Sequence, residues 1–211
     1  LVTHEHSDHI GSCRVFEKKL RKLYEEDVPF YMTEGTWANA NKKCLPERIQ
    51  IVESGVSFNI GPLQIDPITV PHDVSDPVAY KVTLGELSMA VVTDLGRPTG
   101  ILRSHLTGLD GLVLESNYDS TLLENSSYPF KLQQRIRSNH GHLSNRQSAD
   151  LLKSVVSPKL QCVVLAHLSD ENNDPEIALE RARRALGDST AVLTVGKQLS
   201  AHPVIELRHR A

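Results

Sequence analysis

Three histidines and two carboxylates fall within six residues, His4-Glu5-His6-Ser7-Asp8-His9. In an extended segment His4 and His6, two apart, point the same way. Asp8 and His9 come just before a helical pattern. One loop at a strand's carboxyl end can then feed two metal sites, which demands a fold that gathers strand ends at one edge. The bland alternative is a solvated polar loop or a tag, but the spacing is not that of a tag and a strand and a helix flank the run. The chain opens as Leu1-Val2-Thr3, which reads as the end of a buried strand, and Leu1 is not Met. We therefore expect further N-terminal strands to precede it.

The 211 residues suit one domain able to bury a core, and 39% hydrophobic with 23% charged residues is a globular composition. No apolar run approaches membrane-spanning length, so no membrane association is expected. Cys13, Cys44 and Cys162 are few and far apart, which argues for a reducing, cytoplasmic compartment rather than a disulfide framework.

Residues 12–26 have helical periodicity, with Cys13, Phe16, Leu20 and Leu23 as the apolar stripe. A strand is expected at Phe30–Thr33, a helix from Glu34 to about Lys43, and strands at 48–54 and 63–70. Val78–Leu84 and Leu87–Thr93 form a hairpin about Gly85-Glu86. Gly111–Glu115 is a short buried strand and Pro129–Asn139 a helix with Pro at an early position. Ser144-x-x-Gln147 is a capping box opening a helix to about Val156. Leu160–Ala166 is a strand, Pro175–Leu186 a helix, and strands near Ala191–Val195 and Val204–Leu207 close the chain. Strands first, then strands alternating with helices, predict an α/β sandwich with the sheets inside.

His-x-His-x-Asp-His after a strand resembles the motif of the metallo-β-lactamase superfamily. That resemblance implies a four-layer αβ/βα sandwich, with N-terminal strands missing here, over a single domain spanning 1–211. It also implies further ligands downstream: a His, a bridging Asp and a final His. His72 follows an alternating strand in Val70-Pro71-His72-Asp73, Asp94 follows Met89–Thr93, and His167 follows Cys162–Ala166. By the resemblance, His4, His6 and His72 hold one divalent ion, and Asp8, His9 and His167 hold a second, with Asp94 between. Imidazole and carboxylate suit Zn²⁺, and also Mn²⁺ or Fe.

Two further phrases narrow the branch. Glu115 ends a strand in Leu114-Glu115-Ser116-Asn117, and His142 precedes a capped helix in Gly141-His142-Leu143-Ser144-Asn145. The pair is similar to the Glu and Gly-His-Ser-Thr loop of tRNase Z-type nucleases, where it is assigned to protonating the leaving alkoxide. Departing sugar oxygens need that proton. Glu115 equally suits a carboxylate that holds a metal-bound imidazole. Together with Thr33-Glu34-Gly35-Thr36-Trp37, Thr93-Asp94-Leu95-Gly96 and Leu165-Ala166-His167-Leu168-Ser169, these phrases resemble the YycJ/WalJ subfamily of metal-dependent DNA exonucleases. Tyr118 departs from it, standing where a His is expected.

The net charge of −3 argues against binding nucleic acid over the whole surface. Between Tyr128 and Leu160 six basic residues (Lys131, Arg135, Arg137, Arg146, Lys153, Lys159) face one acid, Asp150. This stretch flanks His142, and Ser144, Asn145 and Arg146 at the helix start are expected to contact a phosphate. Trp37 is expected in the core. His105, His140, His202 and His209 are unassigned. The sequence thus points to a binuclear phosphodiesterase acting on DNA, with Asp8, Glu115 and His142 as catalytic groups. The alternatives are a small-ester hydrolase of the glyoxalase II or lactonase sort and a non-catalytic nucleic-acid-binding member of the fold.

Overall fold

The computed structural model describes residues 1–198 and 200–209. A single helical turn, Ser7–Ile10 (α1), carries Asp8 and His9, and Cys13–Tyr24 (α2) follows. Phe30–Thr33 (β1) leads into Glu34–Asn39 (α3), whose first turn is capped by the Thr33 hydroxyl accepting from Thr36 N. Ile49–Val52 (β2) pairs with β1 in parallel, Phe30 opposite Ile49.

Phe58–Ile60 (β3), Leu63–Thr69 (β4), Val78–Leu84 (β5) and Leu87–Val92 (β6) make an antiparallel meander. The β5–β6 turn is the two-residue Gly85-Glu86, with Gly85 at φ 58°, a conformation that favours glycine. Gly100–Leu106 (α4) and Gly111–Glu115 (β7) come next, then the helices Ser120–Glu124 (α5), Phe130–Arg137 (α6) and Asn145–Val155 (α7). Cys162–Ala166 (β8), Pro175–Leu186 (α8) and Val192–Val195 (β9) close the fold.

The large sheet has seven strands in sequence order from β3 to β9, antiparallel as far as β6 and parallel thereafter. Its register places Val92 beside Leu114 and Glu115 beside Ala166. The chain therefore leaves β6, β7 and β8 at one edge, where Asp94, Glu115 and His167 emerge together. Helices α4, α7 and α8 bury Leu102, Leu106, Leu151, Leu152, Ala178 and Ala182 against this sheet. A second core joins Val2, Ile10 and Cys13 to Phe30 and Met32 of the small sheet. The N-terminal residues tie the two sheets: Val2 N donates to Tyr31 O, Val78 N donates to Thr3 O, and the Tyr80 hydroxyl donates to Val2 O. The expected α/β layering holds.

Several boundaries differ from expectation. On α2 the buried residues are Cys13 and Glu17, while Phe16 and Leu23 are exposed. Glu17 is 2% exposed and its carboxylate accepts from Glu47 N and Arg48 N, at 2.9 and 3.0 Å. Helix α3 ends at Asn39 because Ala40 turns extended. β3 and the short helices α1, α4 and α5 were too brief for periodicity to reveal. Residues 204–207 are not a strand. The Gln161 side-chain amide bonds both Arg208 N and Arg208 O, and Leu207 packs against Gly111, so the tail is held by side chains rather than by a ladder. Trp37 is half-exposed beneath the Lys42 ammonium rather than in the core. Among the described residues no helix is long and apolar enough to cross a membrane.

Replacing Glu17 by Ala leaves two inward-facing backbone N–H groups without their carboxylate. The expected loss is about 2–3 kcal/mol in denaturant unfolding. An unchanged midpoint would show that water replaces the carboxylate at no cost.

Candidate metal centre

Thr3 precedes the motif and organises it. Its hydroxyl lies 3.1 Å from His4 Nδ1 and 3.0 Å from His9 Nδ1, so one side chain orients two rings and turns their Nε2 atoms inward. His72 is set the same way, its Nδ1 lying 3.2 Å from Gly141 O. The loop carrying His72 is tied from both sides: Ser75 N donates to Glu5 Oε1, and the Thr33 hydroxyl donates to Asp76 O. Glu5 and Thr33 were in view as part of motifs, but nothing in their spacing assigned them this task.

The seven strand-end residues converge. His72 Nε2 lies 3.4 Å from His6 Nδ1 and 3.8 Å from Asp94 Oδ1. His9 Nε2 lies 3.1 Å from Asp94 Oδ2 and 3.4 Å from Asp8 Oδ2. His167 Nε2 lies 3.4 Å from Asp94 Oδ1 and 3.5 Å from Asp8 Oδ2. Among the described residues, four groups bring their ligand atoms within 4.8 Å of one another: His4–His6–His72, His4–His9–Asp94, Asp8–His9–His167 and Asp94–His142–His167. Asp94 belongs to two of them and adjoins the others.

The donor set fits divalent cations. His4 Nε2 and Asp94 Oδ2 are buried without a hydrogen-bond partner, although His9 Nε2 stands 3.1 Å from the latter. Buried polar atoms left so are costly unless something else satisfies them. Rings whose Nδ1 is held by Thr3 or by a backbone carbonyl present Nε2 as a ligand. Asp94 and His167 have φ of 59° and 57°, strain that residues other than glycine bear mainly at functional sites.

Electrostatics follow from this crowding. Burial, then the neighbouring His9, pushes His4 down to about 3, and burial also lowers His72. His9 moves up to about 9: burial opposes its charge, but Asp8 and Asp94 outweigh that. His167 is raised to about 11, against burial, by Asp8 and Glu115. Asp8 is held well below the carboxylate range by His167 and His9. Asp94 is held there by His9 and His167 despite its burial.

Beside the cluster, His142 Nδ1 lies 2.7 Å from Glu115 Oε1. With the carboxylate oxygen as acceptor, Nδ1–H is the donor of this bond. Burial opposes charge on His142, and Glu115 raises its pKa nonetheless. Glu115 is fully buried, and its other oxygen accepts from Leu95 N at 3.0 Å. It lies 3.6 Å from His167 Nδ1, too far for a hydrogen bond, so of the two tasks open to it the pairing with His142 is the one formed. Glycines allow the close approach: a Cβ on Gly96 would fall 2.2 Å from the Asn139 carbonyl carbon.

Ser144, Asn145 and Arg146 are not brought to the cluster. Ser144 is buried in its capping box with Gln147. Asn145 is buried in a network: Ser116 Oγ donates to Asn145 Oδ1, Asn145 Nδ2 to Asn173 Oδ1, and Asn173 Nδ2 to Ser116 O, each at 2.7 Å. These side chains fasten loops together. Arg146 lines a separate small hollow between α7 and α8 with Lys153, Arg181 and Arg184. The basic stretch is dispersed as well: Lys159 reaches Glu86 O and Asp110 at the opposite edge of the sheet. Only its Arg135 lines the main cleft, paired with Asp73. That cleft, of about 1220 Å³, opens over His6, Asp8, His9, Asp94, His142 and His167.

A family model for the beta-lactamase superfamily domain matches residues 1–168. The chain belongs to this family. Exodeoxyribonuclease WalJ of Streptococcus pneumoniae is 34% identical over 183 residues, 84% of this chain and 66% of that protein. Exodeoxyribonuclease YycJ of Bacillus anthracis is 32% identical over 182 residues, again 84% and 66%. The chain thus spans just under two thirds of these relatives. Among solved structures, the metallo-beta-lactamase fold protein YhfI from Bacillus subtilis superposes with a TM-score of 0.68 at 15% identity, covering 92% of this chain and 73% of that one. At that identity the likeness is of fold. The superfamily fold and the WalJ/YycJ likeness expected from the motifs both hold, and a superfamily domain of this kind implies divalent metal ions.

Metal binding requires neutral imidazole. With pKa values raised to about 9 and about 11, His9 and His167 are cations at pH 7 and each must surrender a proton. Zinc loading of chelator-treated protein at pH 7 is therefore expected to release about two protons per chain, and affinity to climb as pH rises toward 9. Calorimetry in buffers of different ionisation enthalpy counts them. No proton release would show that both rings are already neutral in the metal-free protein.

Proposed function

We propose that this chain is a metal-dependent phosphodiesterase acting on DNA from an end, and that residues 1–211 form one domain for that purpose. The observation that carries the reading is the His142–Glu115 pair beside the cluster of strand-end ligands. The names of the WalJ and YycJ relatives support it. A hydrolase of small activated esters would have no use for a buried carboxylate that strengthens an imidazole's hold on its proton at the cleft wall.

His4, His6 and His72 would hold one divalent ion, and Asp8, His9 and His167 a second, with Asp94 shared; Zn²⁺ suits this donor set best, with Mn²⁺ or Fe as alternatives. Such a pair supplies Lewis acidity at a phosphoryl oxygen and a water made nucleophilic at neutral pH. The protein's own groups do the rest. His142 donates its Nε2 proton to the departing sugar oxygen while its Nδ1–H remains hydrogen-bonded to Glu115, which favours the protonated ring and keeps it correctly turned. Asp8, whose side chain is 62% exposed, faces the cleft and orients the attacking water by accepting a hydrogen bond from it. The three cysteines are free, in keeping with a reducing, cytoplasmic setting.

His142→Ala should lower DNA turnover by about 10²–10⁴-fold with metal retained, as loss of one general acid does. The loss should shrink on a nitrophenyl phosphodiester, whose leaving group departs without a proton. Asp94→Ala should lose metal and both activities together. Equal losses on both substrates for His142→Ala, with metal content unchanged, would assign His142 to positioning phosphate instead.

A further inference from the structure

The cleft has a second wall of different chemistry. Tyr128, Leu132 and Ile136 line it; Leu132 and Ile136, four apart, share one side of α6, and Tyr128 lies in the segment just before that helix. Helix α6 has no buried residue, so this apolar side is not spent on the core. All three side chains are partly exposed.

The wall is fixed relative to the chemistry. His142 N donates to Ile136 O at 2.9 Å, and Arg135 pairs with Asp73, the neighbour of His72. Gly141 permits this contact, since a Cβ there would fall 2.2 Å from Ile136 O. At the other end Gln133 Nε2 donates to Tyr128 O at 3.0 Å, and Tyr128 N donates to Ser126 Oγ. These bonds fix the Tyr128 backbone beside the cleft, and its side chain is among the lining groups.

Beyond the scissile phosphate over the His–Asp cluster, side-chain charge does not explain how a strand would be held here. The chain carries −3, its basic stretch is dispersed, and the cleft's basic side chains are Arg135, already paired, and Lys197. Affinity for single strands comes from phosphate neutralisation and from base stacking on aromatic rings. With the first scarce, the second must carry more.

We propose that Tyr128, Leu132 and Ile136 form a nucleobase subsite: the unpaired base adjoining the scissile phosphodiester lies against this wall, its face on the Tyr128 ring, while the phosphate sits over the His–Asp cluster. This rests on the phosphodiesterase reading. It favours frayed or single-stranded ends, because a base inside a duplex has both faces covered by its stacked neighbours, and it tolerates any base, because every base has a face to stack.

The test uses single-stranded oligonucleotides with either an ordinary or an abasic nucleotide at each end. For the metal-loaded wild type, removing the terminal base should raise KM about ten-fold, the size of one base stacked on an aromatic ring, with kcat little changed. Fluorescence anisotropy with chelator-treated protein should show the same preference without turnover. Tyr128→Ala should erase the difference and Tyr128→Phe should keep it. A wild type indifferent to the base, or a Tyr128→Ala variant equally impaired on both oligonucleotides, overturns the subsite and leaves the phosphodiesterase reading standing. No cleavage of either oligonucleotide by the wild type sinks that reading, and the subsite with it.

Discussion

A carboxylate 2% exposed at the end of a central strand needs positive charge around it, and Asp94 has it. Contacts from His9, His72, His142 and His167 surround its two oxygens at 3.1–3.8 Å. Those rings come from four separate loops, and each must be delivered to one point. The parallel register of β6, β7 and β8 is what permits this, because it ends three strands at one edge. The left-handed backbone of Asp94 and His167 is the local cost, and the helices packed beneath the sheet hold it in place.

Around the charged centre lies a layer of polar side chains that fix loops to one another. Thr3 turns two rings, Glu5 and Thr33 hold the His72 loop, and Ser116, Asn145 and Asn173 join the chain after β7 to the start of α7 and the approach to α8. This layer explains why motifs extend beyond the ligands. Asn145 stands in the Gly141–Asn145 phrase because loops must meet there, and its burial removes it from substrate contact, whereas the half-buried Asn173 also lines the cleft. The His142–Glu115 pair follows the same logic: Glu115 is fastened by Leu95 N, the residue after Asp94, which ties the pair to the His–Asp cluster.

The convergence of His4, His6, Asp8, His9, His72, Asp94 and His167 was legible because polar residues at the tips of apolar strands, and a dense His/Asp run before a helix, mark one edge of the sheet. The hairpin and the capping box were legible because local chemistry alone determines them. What was hidden has long-range causes. The face of α2 that turns inward is chosen by Glu47 and Arg48, thirty residues away, whose backbone N–H groups need a carboxylate; Phe16 and Leu23 then turn outward. A charge sum along the chain cannot see that α7 carries Arg146 and Lys153 toward α8, or that Lys159 lies at the sheet's far edge. The tail at 204–207 has strand composition, yet the Gln161 amide takes the backbone bonds that a ladder would need.

The central claim is that Asp94 is shared by two cation sites assembled from these loops. Anomalous diffraction from zinc-soaked crystals tests it most directly. The account predicts two peaks, one bonded to His4, His6 and His72, the other to Asp8, His9 and His167, each also touching Asp94 at about 2.0–2.2 Å. A single peak, or a site that leaves Asp94 without a bond to metal, would contradict it.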